Sequence, residues 1–472
     1  MKTIIKHRNF SKPILLLVVA LTLQSCFVAQ EYARPELNAE TEALYRTDNL
    51  PTDSISIADV SWKTLFTDSY LQQYVEEGLQ NNMDVRIALQ QIVAAEAYAK
   101  QGKAGYLPTL DVGANYTRQE FSENSQFGSI FSGGTDTYDI TANLSWEADL
   151  WGKIRSGKRA TQAAYLQSVA GHQLVKTQLI SSIANTYYNL LALDAQLEVT
   201  KQTIATRESG VETIKALKDA GQVTQVAVDQ NIAQYNNAKA LQVDIETAIF
   251  KTENTLSILL GKGPRNFERS SLDLQKIEED ITLGVPAALL SNRPDVMAAE
   301  YGLMESFELT NVANSNLYPS LTLTASGGLQ SLELDKLLNL NSLFATVVGG
   351  LTQPLLNQRK LKTQKEVAIA QQEQALLQFK KTLLVAGNEV SNALFSYESE
   401  IKKFEFRKSE VEALRQAESN SEILLKNGYA NYLDLLTARQ SALSAELNII
   451  NSKLNQLVSI VDLYEALGGG WR

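Results

Sequence analysis

Much of what catalytic centres are built from is missing. The 472 residues include one cysteine, Cys26, and two histidines, His7 and His172. One cysteine forms no intramolecular disulfide, and so few imidazoles exclude a histidine-cluster metal site. No nucleophile–base pair is recognisable, so the sequence does not read as an enzyme. Beyond the N-terminal region methionine is limited to Met83, Met297 and Met304, which leaves no methionine-lined copper path. Gly261-Lys262-Gly263 has no Walker spacing around it and reads as a helix end. A basic excess is also missing: 43 Lys and Arg stand against 53 Asp and Glu, a net charge of −10. That argues against a nucleic-acid partner, which needs a basic face.

The few early charges are all basic: Lys2, Lys6, Arg8 and Lys12, with no acid before residue 26. An apolar stretch follows, Ile14 to Leu23, too short to span a bilayer as a helix, so the segment reads as an export signal. It ends in Leu23-Gln24-Ser25-Cys26, which resembles a bacterial lipoprotein lipobox. The resemblance implies a lipid on Cys26 after cleavage; a plain signal cut near Ala29 is the alternative. No other cofactor is expected.

The remaining chain repeats itself. Tyr106-Leu107-Pro108-Thr109-Leu110 recurs as Leu317-Tyr318-Pro319-Ser320-Leu321, while Gly221 matches Gly428 and Leu260-Gly261 matches Leu467-Gly468. Internal repetition points to one structural unit used twice. The boundaries read as 1–25 for the signal, 26–66 for an N-terminal lipid-anchored segment, 67–275 for the first repeat and 276–472 for the second.

Each repeat carries two period-two segments. Tyr138, Ile140, Ala142, Leu144 and Trp146 alternate with Thr137, Asp139, Thr141, Asn143 and Ser145. Strands are expected near 110–119, 137–147, 321–330 and 342–353, each with one apolar and one polar face. About ten residues suits a tilted transmembrane strand. The rest is helical. No proline falls between Lys153 and Ser209, and Ile183, Leu190, Leu197 and Ile204 stand seven apart. Ile369, Leu376, Leu383, Val390, Tyr397, Phe404 and Val411 repeat that spacing, the mark of a left-handed coiled seam. A helix of about 57 residues would be roughly 85 Å long at about 1.5 Å per residue.

Four transmembrane strands cannot close a barrel, and open edges in lipid cost several kcal/mol per unsatisfied backbone group. Either the strands lie outside a membrane or several chains share one barrel. Arg293-Pro294-Asp295-Val296-Met297-Ala298-Ala299-Glu300 and Tyr318-Pro319-Ser320-Leu321 resemble the second-repeat signature of TolC-like, NodT-type outer-membrane efflux lipoproteins. Asp149-Leu150-Trp151-Gly152-Lys153-Ile154-Arg155, Tyr432-Leu433-Asp434-Leu435-Leu436-Thr437-Ala438 and Tyr464-Glu465-Ala466-Leu467-Gly468-Gly469-Gly470-Trp471 extend the resemblance along the chain.

The resemblance implies a mainly α fold with a transmembrane β portion, assembled as a homotrimer with a twelve-stranded barrel and a helical periplasmic tunnel. It implies an exit duct in the outer membrane, partnered by a periplasmic adaptor and an inner-membrane pump of the RND class. A type I secretion duct shares the architecture, and a lipid-anchored coiled-coil scaffold without a pore would keep the helical seams alone. Gly221 and Gly428 are expected at the tip turns, where φ > 0 is needed and an adaptor would dock. Asp434 is expected at the narrowing there, where three carboxylates around an axis would attract cations. Thr437 stands where the family has a second acid, and the first repeat offers Asp229. Trp146, Trp151 and Tyr138, at or beside strand ends, are candidates for the membrane interface; Trp62 reads as plain packing.

Overall fold

A computed structural model describes residues 28–36, 56–126, 128, 134–275 and 289–471. Cys26 and the export segment lie outside the described residues. The four expected strands are present as β1 (Thr109–Gln119), β2 (Thr135–Ala148), β3 (Ser320–Ser331) and β4 (Leu343–Thr352). They form one antiparallel sheet in the order β1-β2-β3-β4. The last strand starts at Leu343, one residue past its expected start, because Ser342 belongs to a short 3-10 turn.

The register explains the alternation. Leu110 faces Leu144, Leu144 faces Ala325 and Ala325 faces Val347, which makes one apolar row across all four strands. The next row, Asp111, Asn143, Ser326 and Thr346, is polar throughout. Among the described residues nothing covers the apolar face: Val112 is 72% exposed and Val347 71%.

Among the described residues the helices are α1 (Trp62–Leu65), α2 (Ser69–Asn81), α3 (Met83–Ala104), α4 (Lys153–Asp219), α5 (Gln225–Leu259), α6 (Leu289–Asn292), α7 (Pro294–Ser315), α8 (Lys360–Lys426) and α9 (Tyr432–Ala466). The two long helices, α4 and α8, have 67 residues each, and α5 and α9 have 35 each. The first long helix therefore continues ten residues past the expected end near Ser209. It runs through Gly210, whose missing side chain leaves room for the Arg439 guanidinium: a Cβ there would lie 3.2 Å from Nη1. One helical glycine costs about 1 kcal/mol, too little to end a long packed helix. No helix among the described residues is long and apolar enough to cross a membrane.

The chain divides into two compact units, each drawing on both repeats. The first comprises residues 1–35, 93–167 and 300–378 and holds the sheet. There the N-terminal strap is tied to α7: Arg34 makes two 2.6 Å bonds to Glu300, and Gln30 exchanges backbone bonds with the Asn311 amide. The second comprises 36–92, 168–299 and 379–472. Its core holds Leu71, Ile180, Ile183, Tyr187, Leu190, Phe379, Val390 and Tyr464, all at most 1% exposed. Each such side chain contributes about 1.5–3 kcal/mol relative to exposure. Trp62, 6% exposed, belongs to this core. The heptad seams are buried at Ile183, Leu190, Leu383, Val390 and Tyr397 but only half-buried at Leu197, Ile204, Leu376, Phe404 and Val411, and Ile369, expected on the seam, is exposed.

Candidate functional site

The two helical hairpins close with the same turn. Gly221 and Gly428 adopt φ of +74° and +75°. Gln222 N donates to Leu217 O at 2.9 Å and Gly221 N to Lys218 O at 2.8 Å; Tyr429 and Gly428 repeat the pattern onto Leu424 and Leu425. These are paired C-capping bonds that require a left-handed residue. A Cβ at either glycine would meet open space, so conformation alone selects glycine.

Beyond the turns the hairpins differ. Asn431 caps α9 in a reciprocal box: Asp434 N donates to Asn431 Oδ1 at 3.0 Å, and Asn431 N donates to Asp434 Oδ2 at 3.1 Å. The cap of α5, Thr224, makes no such side-chain bond. Asp434 is thus a helix cap whatever else it does, which its place three residues after an Asn signals in the sequence. Thr437 donates to Leu433 O at 2.9 Å, and Asp229 accepts from Gln225 at 2.8 Å. Asp434, Thr437 and Asp229 are exposed, while Val228 and Leu435, at matching places in the two repeats, are buried. No hydrogen bond joins Asp229 to Asp434 within the chain.

Farther from the turns a polar network crosses between the hairpins. Buried Arg207 on α4 donates to Gln234 O at 2.5 Å on α5 and to Gln440 Oε1 at 2.8 Å on α9. Burial and the neighbouring Arg439 charge hold Arg207 below the ordinary arginine range. Arg439 reaches Glu422 at 3.3 Å, and Arg415 pairs with Glu446 and Glu418 around a cavity of about 150 Å³. Sequence reasoning missed this network, because its members are scattered over four helices.

At the sheet's helix-facing edge Trp146 Nε1 donates to Tyr106 O at 3.0 Å, and Trp151 Nε1 to Pro319 O at 2.7 Å. Trp151 also stacks on Tyr318 with centroids 5.1 Å apart. Tyr138, by contrast, lies toward the other end, 5.0 Å from Tyr116. The Arg293-Pro294-Asp295 motif does more than open α7. Buried Arg293 binds Asp295 at 3.0 and 2.6 Å, Glu389 at 2.6 Å and Ala466 O at 2.8 Å. It ties α7 to α8 and to the end of α9. Burial opposes that charge, but the two carboxylates outweigh it and raise its pKa. Among the described residues no group of three or more His, Cys, Asp or Glu is placed to hold a metal ion.

A sheet with one bare apolar face, in a chain that also has two matched pairs of long helices, marks a membrane protein. The chain belongs to the outer membrane efflux protein family, whose model matches residues 74–262 and 285–469. It is 28% identical over 462 residues to a Pseudomonas putida protein named as a probable efflux pump outer membrane protein, TtgC, covering 97% of this chain and 95% of that one. Among solved structures, a Pseudomonas aeruginosa membrane protein superposes with a TM-score of 0.86 at 25% identity, over 94% of this chain and 98% of that one. The open-state Neisseria gonorrhoeae MtrE outer membrane channel gives 0.83 at 26% identity, over 95% and 99%. The chain is an outer-membrane efflux duct, and these relatives lend no support to a pore-less scaffold or a secretion duct.

Proposed function

We propose that three copies of this chain form one closed twelve-stranded barrel and a periplasmic tunnel, the passive exit of a tripartite efflux system. One observation carries the reading: a four-stranded sheet that ends on both sides in open edges, β1 and β4. In lipid, each unpaired backbone group on those edges would cost several kcal/mol, and closure with neighbouring copies removes the cost. The half-exposed heptad positions and the bare Val243, Phe250, Phe395 and Phe406 are further surface that neighbours would cover. The duct performs no chemistry. A periplasmic adaptor and an inner-membrane pump of the RND class supply energy and cargo, with the adaptor docking around the Gly221 and Gly428 turns. Asp434 lines the gate at the tip, Trp146 and Trp151 sit at the membrane interface, and an acylated Cys26 anchors each chain.

The purified protein in planar bilayers tests this. The expected record is a mostly closed, cation-preferring conductance, together with a trimer on gels that dissociates only on heating. A monodisperse monomer without conductance would overturn the reading. Labelled palmitate incorporated into the wild type and not into Cys26→Ser tests the anchor; equal labelling would remove it.

A further inference from the structure

All four strands end at one edge of the sheet, since Thr109 pairs with Ser145, Ala148 with Leu321 and Ser320 with Thr352. Four strand–helix junctions therefore share that edge. They are held together by the Trp146–Tyr106 and Trp151–Pro319 bonds and by Gln353 Nε2 donating to Leu317 O at 3.0 Å. Leucines stand bare beside them: Leu107 is 67% exposed, Leu355 88% and Leu356 98%.

Immediately past the leucines the chain turns basic. Lys100 and Lys103 close α3; Lys153, Arg155, Lys158 and Arg159 open α4; Arg359, Lys360, Lys362 and Lys365 precede or open α8. Within residues 100–108, 149–159, 315–319 and 353–365 these ten face a single acid, Asp149, in a chain whose net charge is −10. Some have nearby partners: Lys153 meets Glu147 at 2.9 Å, Arg159 meets Glu308 at 3.4 Å, and Arg359 meets Glu366 at 2.8 Å. Lys103, Lys158, Lys360, Lys362 and Lys365 make no ion pair among the described residues.

At the starts of α4 and α8 the placement runs against helix electrostatics. Neither α4 nor α8 has an acid in its first turn, where cations meet the positive end of the helix dipole. Farther along α8 the signs mix, with Glu398, Glu400, Lys402, Lys403 and Glu405 in close succession. A solvated helical face needs no such segregation. Breaking a local rule at the starts of both α4 and α8, on one edge, marks a surface that serves a partner; Lys100 and Lys103 join it from the C-terminal end of α3, where the dipole favours cations.

We infer that these junctions form a basic collar that binds the anionic phospholipid headgroups of the periplasmic leaflet, with the bare leucines seated in the acyl layer beneath. The sequence apolar strand face, exposed leucine, lysine matches the order hydrocarbon, interface, phosphate in that leaflet. Lysine stems reach from an apolar surface while the ammonium stays with the headgroups. The inference rests on the reading of the four strands as membrane-spanning.

The test uses the full protein in phosphatidylcholine vesicles carrying spin-labelled phosphatidylglycerol or spin-labelled phosphatidylcholine. The motionally restricted signal should favour the anionic label by about fivefold, the effect of roughly one basic residue per headgroup. Changing Lys103, Lys158, Lys360, Lys362 and Lys365 together to Gln should bring the preference below about twofold, whereas Lys402→Gln with Lys403→Gln should leave it intact. Should the fivefold variant fail to insert, 0.5 M NaCl on the wild type must erase most of the preference. An equal signal for both labels in the wild type, or a preference indifferent to both charge and salt, overturns the inference. Competition by 20 mM inorganic phosphate at constant ionic strength would assign the collar to a free anion and also overturn it. So would unchanged lipid preference with loss of a co-purifying adaptor, which would mark an acidic protein surface. A heat-modifiable trimer in the same vesicles reports insertion separately, so failure of the membrane reading is recognised on its own.

Discussion

Replacing Asp434 separates the capping role its carboxylate plays from the gate role proposed for it. Within the chain, Asp434 Oδ2 accepts from Asn431 N and closes the box that starts α9. At the tip of an assembled trimer the same side chain would add one negative charge per copy. Asp434→Ala removes both, while Asp434→Asn keeps an acceptor oxygen and removes only the charge. Losing one bond of the box together with the charge–dipole contact costs about 1 kcal/mol, a roughly fivefold rise in opening of the first turn. Hydrogen exchange of the 428–436 segment should accelerate about fivefold in Asp434→Ala and less than about twofold in Asp434→Asn. Conductance in planar bilayers should lose cation preference equally in both. Identical exchange in both variants and wild type would refute the capping argument, and unchanged selectivity in both would refute the gate.

Other perturbations follow from buried charge and strained backbone. Arg293→Ala strands Asp295, Glu389 and Ala466 O, so the denaturant midpoint should fall by the equivalent of about 3–5 kcal/mol, with Arg293→Lys intermediate; a midpoint unchanged by Ala would show the tie to be idle. Burial first, then the Asp462 and Glu389 charges, raises Glu465 above the ordinary glutamate range. Its folded state therefore holds its proton more tightly, and its contribution to stability falls as pH rises from about 4 through the raised folded value. Glu465→Gln should stabilise the protein at pH 7 and lose that advantage near pH 4, as read by urea midpoints; a gain independent of pH contradicts the assignment. Asp68 has the opposite sign. Burial would raise it, but bonds from Ser270, Tyr187 and Gln275 hold it low, so its contribution is present above about pH 4 and lost below. Asp68→Asn should accordingly narrow the stability difference between pH 7 and pH 3. Gln358 and Arg359 adopt φ of +55° and +66° where the first repeat has Gly152 at +80°. Gln358→Gly should relieve about 1 kcal/mol and slow exchange across 354–361; faster exchange would mean that the left-handed turn is unstrained.

The strands were legible because one face meets apolar and the other polar surroundings, so period two survives in residues such as Tyr138 to Trp146. The turn glycines were legible for an equally local reason, φ > 0. What failed was anything set by distant partners. The helix α4 runs ten residues past its expected end, through Gly210, where a side chain would crowd Arg439 more than two hundred residues away. The Arg34–Glu300 and Arg293–Glu389 ties leave no periodic trace, since each joins isolated residues across long separations. At the tip, Asp434 was visible as an acid in a first turn, and its pairing with Asn431 follows the capping-box spacing. Which carboxylates face an axis depends on neighbouring copies, which one chain's periodicity does not record.

Closure of the barrel between copies is tested most directly by a cysteine pair on the two sheet edges, Val112→Cys on β1 and Val347→Cys on β4. Within one chain these edges lie three strand spacings apart, about 14 Å at about 4.8 Å each, far beyond disulfide reach. Mild oxidation of the membrane-inserted protein, repeated with the β4 position shifted by two residues either way, should yield a covalent species of three chains at one register. Monomer at every register, from protein that still folds and inserts, would contradict the shared barrel.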